Sequence, residues 1–565
     1  MVMGPRGSGK TTLLKMLTPR ALEAWVAPQA SEVRRDIPFD AIYIPSDIHW
    51  EEQLRSLSSG FASLANGEAL EATFSQAAVT INVLLAVVDS MFDIIKYKRL
   101  EASRPIEEFL EVVINGWRLG GVPPIAGAVR EGLEGRFNEL FILFRRLAST
   151  DTFEVNALPE WVLIDYSAAT RLACTAFDNT FPERAGRKWA LCFDELELAP
   201  LWLQNRVFRE LRSTDQRFLL KLSTSPLPTV GKAVRAAHSE DYAVIRLWPH
   251  KKVRARDFPS RLAARIVADR LEGGATLAGF LGSSTVASGD EESYSRDSLT
   301  WQVFKELAEK DSSFHELLRA RGINPQDPVT DNRRLRDQLL RKAKPLAHFR
   351  VAWLTGENSA GSRRVRTRKR PGLYHGFEDV LDIADGNPRW LITILRQLLR
   401  KWDERPERNL PLPPEEQEEV LEQTSELFLG FLRTLPNPRG GGELGIPLHE
   451  LVEILGRAFE EHILSRPFSL NPVGTVRVEE GLPEQLLNCL RWAAEQGALI
   501  VMDPVEQGID SGIEGRRLRL TYLLAPYFRL PLRAYKEAKL ATCLRAGGLQ
   551  DNKLEQMEFG YALES

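Results

Sequence analysis

Blocks of helical periodicity along the chain are interrupted by short apolar runs. After a glycine-rich start, TLLKMLTPRALEAWV carries apolar residues at helical spacing, and FDAIYIPSD then sets Ala41, Ile42, Tyr43 and Ile44 in a short run ended by Pro45. That predicts a helix followed by a strand. From Glu51 to about Pro182 the pattern is mostly helical, with breaks around Gly116 to Pro124 and Ala185 to Arg187, and predicts an inserted helical subdomain. RKWALCFDELE then reads as a buried strand ending in two acids and LWLQNRVFRELRS as a helix. RFLLKLSTSP reads as a second buried strand, ending in hydroxyls, and Tyr242 to Pro249 as a further strand. Strands alternating with helices make the class α/β, with a parallel three-layer sheet.

Past Lys251 the chain turns helical again, broken by the polar loop LGSSTVASGDEESYSRDS. The amphipathic helix NPRWLITILRQLLRKW and a proline-rich linker at Arg405 to Pro414 close this section. Beyond Glu415, three helical segments precede a strand pair, Leu499 to Met502 and Arg516 to Leu523. In the second, Leu518, Leu520 and Tyr522 alternate with Arg517, Arg519 and Thr521. Helices followed by a hairpin suggest a winged helix. The expected organisation is an α/β core over 1–50 and 183–260, a helical insertion over 51–182 and a helical lid over 261–405. A winged-helix-like domain over 410–535 and a tail over 536–565 complete it.

Composition narrows the class without naming a function. The 565 residues are enough for several domains, and 43% hydrophobic with 27% charged residues is ordinary for a folded soluble protein. Seventy-four basic against 77 acidic residues leave a net charge of −3, so any contact with nucleic acid or an anionic membrane must be local. The four cysteines, Cys174, Cys192, Cys489 and Cys543, are far apart and form no zinc or redox motif, which suits a reducing compartment. The apolar run Ala77 to Val88 is shorter than the roughly 20 residues that span a bilayer and reads as core helix. No signal peptide is expected where a glycine-rich motif begins at Gly4, and the expected location is cytoplasmic, with no membrane partner.

Candidate chemistry starts with GPRGSGKT at Gly4 to Thr11, which fits G-x-x-x-x-G-K-[ST] and is followed by a helical pattern. Glycines let backbone N–H groups curl around phosphate oxygens, and the helix that follows adds its positive dipole end. Gly4, Pro5, Arg6, Gly7, Ser8, Gly9, Lys10, Thr11 and Thr12 are the candidate nucleotide-binding residues. Lys10 reaches the β- and γ-phosphates, and the Thr11 hydroxyl ligates Mg²⁺. The plain alternative is a glycine turn capping a helix. Only Met1, Val2 and Met3 precede Gly4, which reads as a clipped first strand, from a start placed downstream of the natural one or from a fragment.

The acid-ended strand WALCFDE supplies Asp194 for the Mg²⁺ shell and Glu195 to orient the attacking water, or else two solvated carboxylates. Of Ser223, Thr224 and Ser225 at the next strand end, Thr224 is the choice for sensing the γ-phosphate, and a simple strand cap is the alternative. Arg235 lies just before the Tyr242 strand, where it serves as an arginine finger for a neighbouring subunit or is merely solvated. In DGNPRWL, Asn387 suits an N-cap, Pro388 the first helical position, and Arg389 a grip on the γ-phosphate or an exposed helix start.

With these residues in place, the chain resembles the additional-strand, catalytic-glutamate division of P-loop ATPases, near the AAA+ and STAND groups. GPRGSGKTT, CFDELE, KLSTSP and GNPRWL resemble the Walker A, Walker B, sensor 1 and sensor 2 elements of origin-recognition-like ATPases. The resemblance implies a five-stranded parallel sheet with the P-loop strand central, a helical lid, a winged helix, and ATP with Mg²⁺ driving assembly or a conformational switch. It departs in the gap of 184 positions from Lys10 to Asp194 and in lacking an asparagine at sensor 1.

The expected reaction is hydrolysis of ATP to ADP and phosphate, fast or slow, by a switch acting with DNA in replication, transposition or phage defence. The alternative is a STAND-like signalling switch or scaffold that recruits proteins without touching DNA. A small-molecule kinase fits poorly with so large a lid. For duplex DNA the candidates are the run RRVRTRKR at Arg363 to Arg370 and the wing residues Arg516 to Arg519. Both also read as solvated charge, and the acidic stretch EEQEEVLEQ opposes DNA on its face. A homo-oligomer or a protein partner is expected.

Overall fold

The apolar runs read as strands build a five-stranded sheet in the computed structural model, ordered β2-β3-β4-β1-β5. Described are residues 1–46, 67–97, 103–148, 158–184, 186–211, 215–228, 242–248, 252–271, 276–284, 286, 298–357, 363–365, 372–407, 410–435, 446–502 and 512–549. Arg235, Arg366, Arg368, Lys369 and Arg370 lie outside them. Contacts divide the chain into two compact units. One holds Met1–Met3 and Lys10–Ile245; the other holds Gly4–Gly9 and nearly all of the chain from Arg246 onward.

The strands are β1 (Val2–Met3), β2 (Phe39–Pro45), β3 (Lys188–Asp194), β4 (Phe218–Thr224) and β5 (Ile245–Arg246), with Ile245 of the first unit closing onto Met1. Parallel registers run Phe39↔Lys188 to Pro45↔Asp194, Trp189↔Phe218 to Phe193↔Leu222, and Met3↔Thr224. The sheet is parallel throughout. β3 is buried at every position after Lys188, as a strand covered on both faces must be. The middle place belongs to β4, and β1 stands one strand to its side. Because the strands run parallel, Asp194, Thr224 and the exit of β1 share one edge, where α/β sheets bind ligands.

Helices α1 (Lys10–Lys15), α2 (Gly67–Tyr97), α3 (Ser103–Gly116), α4 (Ala126–Ala148), α5 (Tyr166–Thr180) and α6 (Leu201–Glu210) surround it. The helices read as an insertion share one buried cluster with the sheet, running from Ile42 and Ile44 on β2 and Trp189 and Phe193 on β3 through α2 to α5. Phe177 packs edge-on to Phe109 and Trp189. α2 is longer than the apolar run within it. By length and composition it could cross a membrane, yet 72% of its most apolar window is buried within the protein.

The second unit contains α7 (Lys252–Arg270), α8 (Lys344–Trp353), a two-stranded ribbon of β6 (Leu354–Glu357) and β7 (Arg363–Val365), α9 (Phe377–Ile383) and α10 (Pro388–Asp403). α11 (Pro414–Thr434), α12 (Leu448–Glu460), β8 (Val473–Arg477), α13 (Glu484–Glu495), β9 (Leu499–Val501), β10 (Arg517–Leu520), β11 (Lys536–Lys539) and α14 (Leu540–Ala546) follow. β10 lies antiparallel between β8 and β9, and β11 adds parallel to β8. The expected β9–β10 pair is present. β8 and β11 go unread in the sequence: the β-branched residues of VGTVR are interrupted by a glycine, KEAK is short and polar, and each pairs with a neighbour in the sheet. Residues read as tail therefore include a sheet strand and a helix.

Candidate functional site

Site residues in the first unit converge on Asp194, the buried last residue of β3. The Tyr43 hydroxyl donates to Asp194 Oδ2 at 2.8 Å from the end of neighbouring β2. From β4 on the other side, Ser223 Oγ donates to Asp194 Oδ1. The same Ser223 Oγ accepts the Glu195 N–H at 2.9 Å. Glu195 adopts a left-handed conformation, φ 53°, which non-glycine residues enter at a cost of about 1–2 kcal/mol and which is concentrated at functional sites. The turn after β3 is thus bent sharply between a fixed carboxylate and the next acid.

Lys10, the first residue of α1, is buried and forms an ion pair with Glu197 at 3.4 Å. Burial pushes the Glu197 carboxyl above its ordinary range, and the Lys10 charge opposes the shift. Thr11 is half-buried and Thr12 exposed. Of the three hydroxyls at the end of β4, sequence points to Thr224, whereas Ser223 is the one bonded to Asp194 and Glu195; Thr224 is buried beside Met3. Sequence reading also missed Glu197 and Tyr43. Glu197 had one available signal, its place three residues beyond Asp194 in a single helical turn.

In the second unit the loop Gly4–Gly9 is shaped by positive φ at Gly7 (85°) and Gly9 (95°), conformations that glycine alone enters freely. A Cβ on Gly7 would stand 2.8 Å from Asn387 Oδ1, so the close approach also requires glycine. Asn387 caps α10 as expected, accepting the Arg389 N–H at 3.1 Å, with Pro388 in the first turn. Its amide donates to Arg6 O at 2.9 Å. The Arg6 N–H donates to Glu495 O at 2.7 Å, and the Arg6 guanidinium lies over the Phe431 ring at 5.2 Å. Arg389 is exposed, with its N–H 3.4 Å from Gly7 O. On the predicted buried face of α10, Leu391, Ile394, Leu395, Leu398 and Leu399 are buried, while Trp390 is half-buried against Phe428.

Of the basic wing read at Arg516 to Arg519, Arg519 is withdrawn to the interior, while Arg516 and Arg517 are half-exposed. Arg519 is buried, with two nitrogens on Asp385 at 2.6 and 2.7 Å and its guanidinium 4.0 Å over the Tyr522 ring. Asp385 also accepts from Thr521 Oγ and Tyr522 N, so the charge belongs to the interior. Arg517 donates to Thr475 Oγ and Tyr535 O, and Arg516 to Gly512 O. Of the RRVRTRKR run, Arg363 and Arg364 fall in β7.

The residues suit a nucleotide phosphate. Ser8 Oγ is buried with no hydrogen-bond partner among the described residues, the glycine φ values form a nest of the kind that binds anions, and a buried lysine follows directly in sequence. No cluster of three or more His, Cys, Asp or Glu suited to a metal exists among the described residues. Mg²⁺ needs none, since it takes one or two protein oxygens together with phosphate and water.

The parallel sheet with its glycine-rich loop between β1 and α1, and with an acid-ended strand two places from β1, defines a P-loop NTPase. The chain belongs to the ORC-CDC6-like family, which it matches over residues 1–540, and so to the AAA+ ATPases of the origin-recognition type. No curated protein and no solved structure matches it.

Proposed function

We propose that the protein is a Mg²⁺-dependent ATPase that switches shape or assembly with its nucleotide and acts with duplex DNA in replication, transposition or phage defence. The observation that carries the reading is the Asp194–Ser223–Glu195 arrangement at the end of β3, in the same unit as the buried Lys10. Gly4 to Gly9 would wrap the phosphates with backbone N–H groups, and Lys10 would neutralise the β- and γ-oxygens. Thr11 and Asp194 would hold Mg²⁺, which supplies charge neutralisation when bound. Glu195 would orient water for in-line attack, Thr224 would stand at the strand end as a sensor, and Arg389 would report the γ-phosphate to the lid.

The test is ATP turnover with and without duplex DNA, alongside Glu195→Gln. The expected result is DNA-stimulated turnover in the wild type, and in the variant ATP binding retained with turnover lost. Full turnover by E195Q removes that residue from its role, and no ATP binding by the wild type removes the reading. A second reading, a signalling switch that recruits proteins, is favoured by the interior position of Arg519 and the internal bonds of Arg516 and Arg517. Indifference to DNA together with a nucleotide-dependent change in mass would select it.

A further inference from the structure

Glu197 has no place in the mechanism above, yet it forms an ion pair with the lysine on which that mechanism depends. It sits in the turn Leu196–Leu198 directly after β3, and its Oε1 is 3.4 Å from Lys10 Nζ, with both side chains buried. Its other oxygen, Oε2, is buried with no hydrogen-bond partner among the described residues. A pair that served folding alone would be expected to satisfy both oxygens, because an unpaired buried carboxylate oxygen lowers stability. Beside it stands a second acid, Glu195, whose charge works in the same direction as burial on the Glu197 carboxyl.

We propose that Glu197 is a positioning residue of the ATPase site: it holds the Lys10 ammonium in place and yields it to the phosphates, so that it sets how tightly the triphosphate is held and how readily product leaves. This rests on the ATPase reading. Lys10 must change partners, from a carboxylate to phosphate oxygens, and measured affinity is the difference between the two interactions. The carboxylate left behind also repels the incoming phosphates at short range, where low dielectric strengthens the effect. When the phosphates depart, Glu197 recovers the lysine, which favours release.

The experiment is calorimetric titration of wild type and Glu197→Gln with Mg-ATP and Mg-ADP, followed by steady-state turnover. The glutamine keeps the shape and removes the competing charge. The expected result is a Kd for Mg-ATP lowered about tenfold, with kcat and KM both reduced as product is retained. A residue needed only for folding would weaken binding, so the direction separates the two roles. Equal or weaker Mg-ATP binding by folded E197Q overturns the proposal, whatever happens to turnover. If E197Q does not fold, Glu197→Asp keeps the charge but withdraws it from Lys10. Tightening of about twofold or more then supports the proposal, and none overturns it. A wild type that binds no ATP would instead sink the ATPase reading, a different result from wild-type binding that E197Q leaves unchanged.

Discussion

The hydroxyl of Ser223 donates to the carboxylate of Asp194, and the same oxygen accepts the N–H of the residue after it. One side chain on β4 therefore sets both acids at the end of β3. Ser223→Ala should lower kcat by about 10- to 100-fold, the range for losing a hydrogen bond to a charged group of about 1.5–3 kcal/mol. Thr224→Val should be milder, since Thr224 is not the hydroxyl bonded to Asp194. Steady-state ATPase rates with matched melting curves check this, and a larger loss in T224V would reverse the assignment.

Tyr43 fixes the other oxygen of Asp194 at 2.8 Å from the edge of the sheet. Removing the hydroxyl in Tyr43→Phe leaves the ring in place, so the fold should tolerate it. The Mg²⁺ concentration giving half-maximal turnover should rise about tenfold, the lower end of what outer-shell partners of a metal ligand contribute. A Mg²⁺ titration that superimposes on wild type would take Tyr43 out of this role.

Arg519 and Asp385 are a buried bidentate pair, 8% and 6% exposed, and Asp385 sits two residues before the cap of α10. Cutting the pair leaves a charge without its partner, so Arg519→Ala should destabilise the protein by about 3–5 kcal/mol. Arg519→Lys should restore little, because a point charge cannot reproduce the fork. Urea unfolding checks both, and a loss for R519A under about 1 kcal/mol would contradict the role given to burial.

His348 on α8 is buried, and burial, aided by the charge of Lys344, lowers its pKa to about 4. Its folded value lies below the roughly 6.5 of an unfolded chain, so the unfolded state binds the proton first. The neutral imidazole therefore contributes fully above about pH 6.5, and that contribution is lost as pH falls from there through about 4. The full amount is of order 3 kcal/mol. Melting temperature measured from pH 7 to pH 4 should fall more steeply for wild type than for His348→Leu, and parallel curves would refute it.

Some of this was legible without coordinates. The glycine spacing from Gly4 to Gly9 announces a phosphate loop, because only glycine accommodates the turns at Gly7 and Gly9. WALCFDE announces a strand buried on both faces with acids at its end, since so apolar a run has nowhere else to go. Asn387 and Pro388 announce the start of α10 by local capping chemistry alone.

Other features were beyond its reach. Arg519 alternates like an exposed wing residue but is buried, because Asp385, 134 positions away, neutralises it. Glu197 reads as one more acid after β3 until the fold brings Lys10 beside it, and Ser223 is indistinguishable from Thr224 until β3 and β4 are placed side by side. The sequence by itself determined the elements whose cause is local: glycine torsions, helix caps and doubly buried strands. The tertiary structure alone decided which charges meet and which are buried, because ion pairing and desolvation depend on distance through space, and no local pattern encodes that distance.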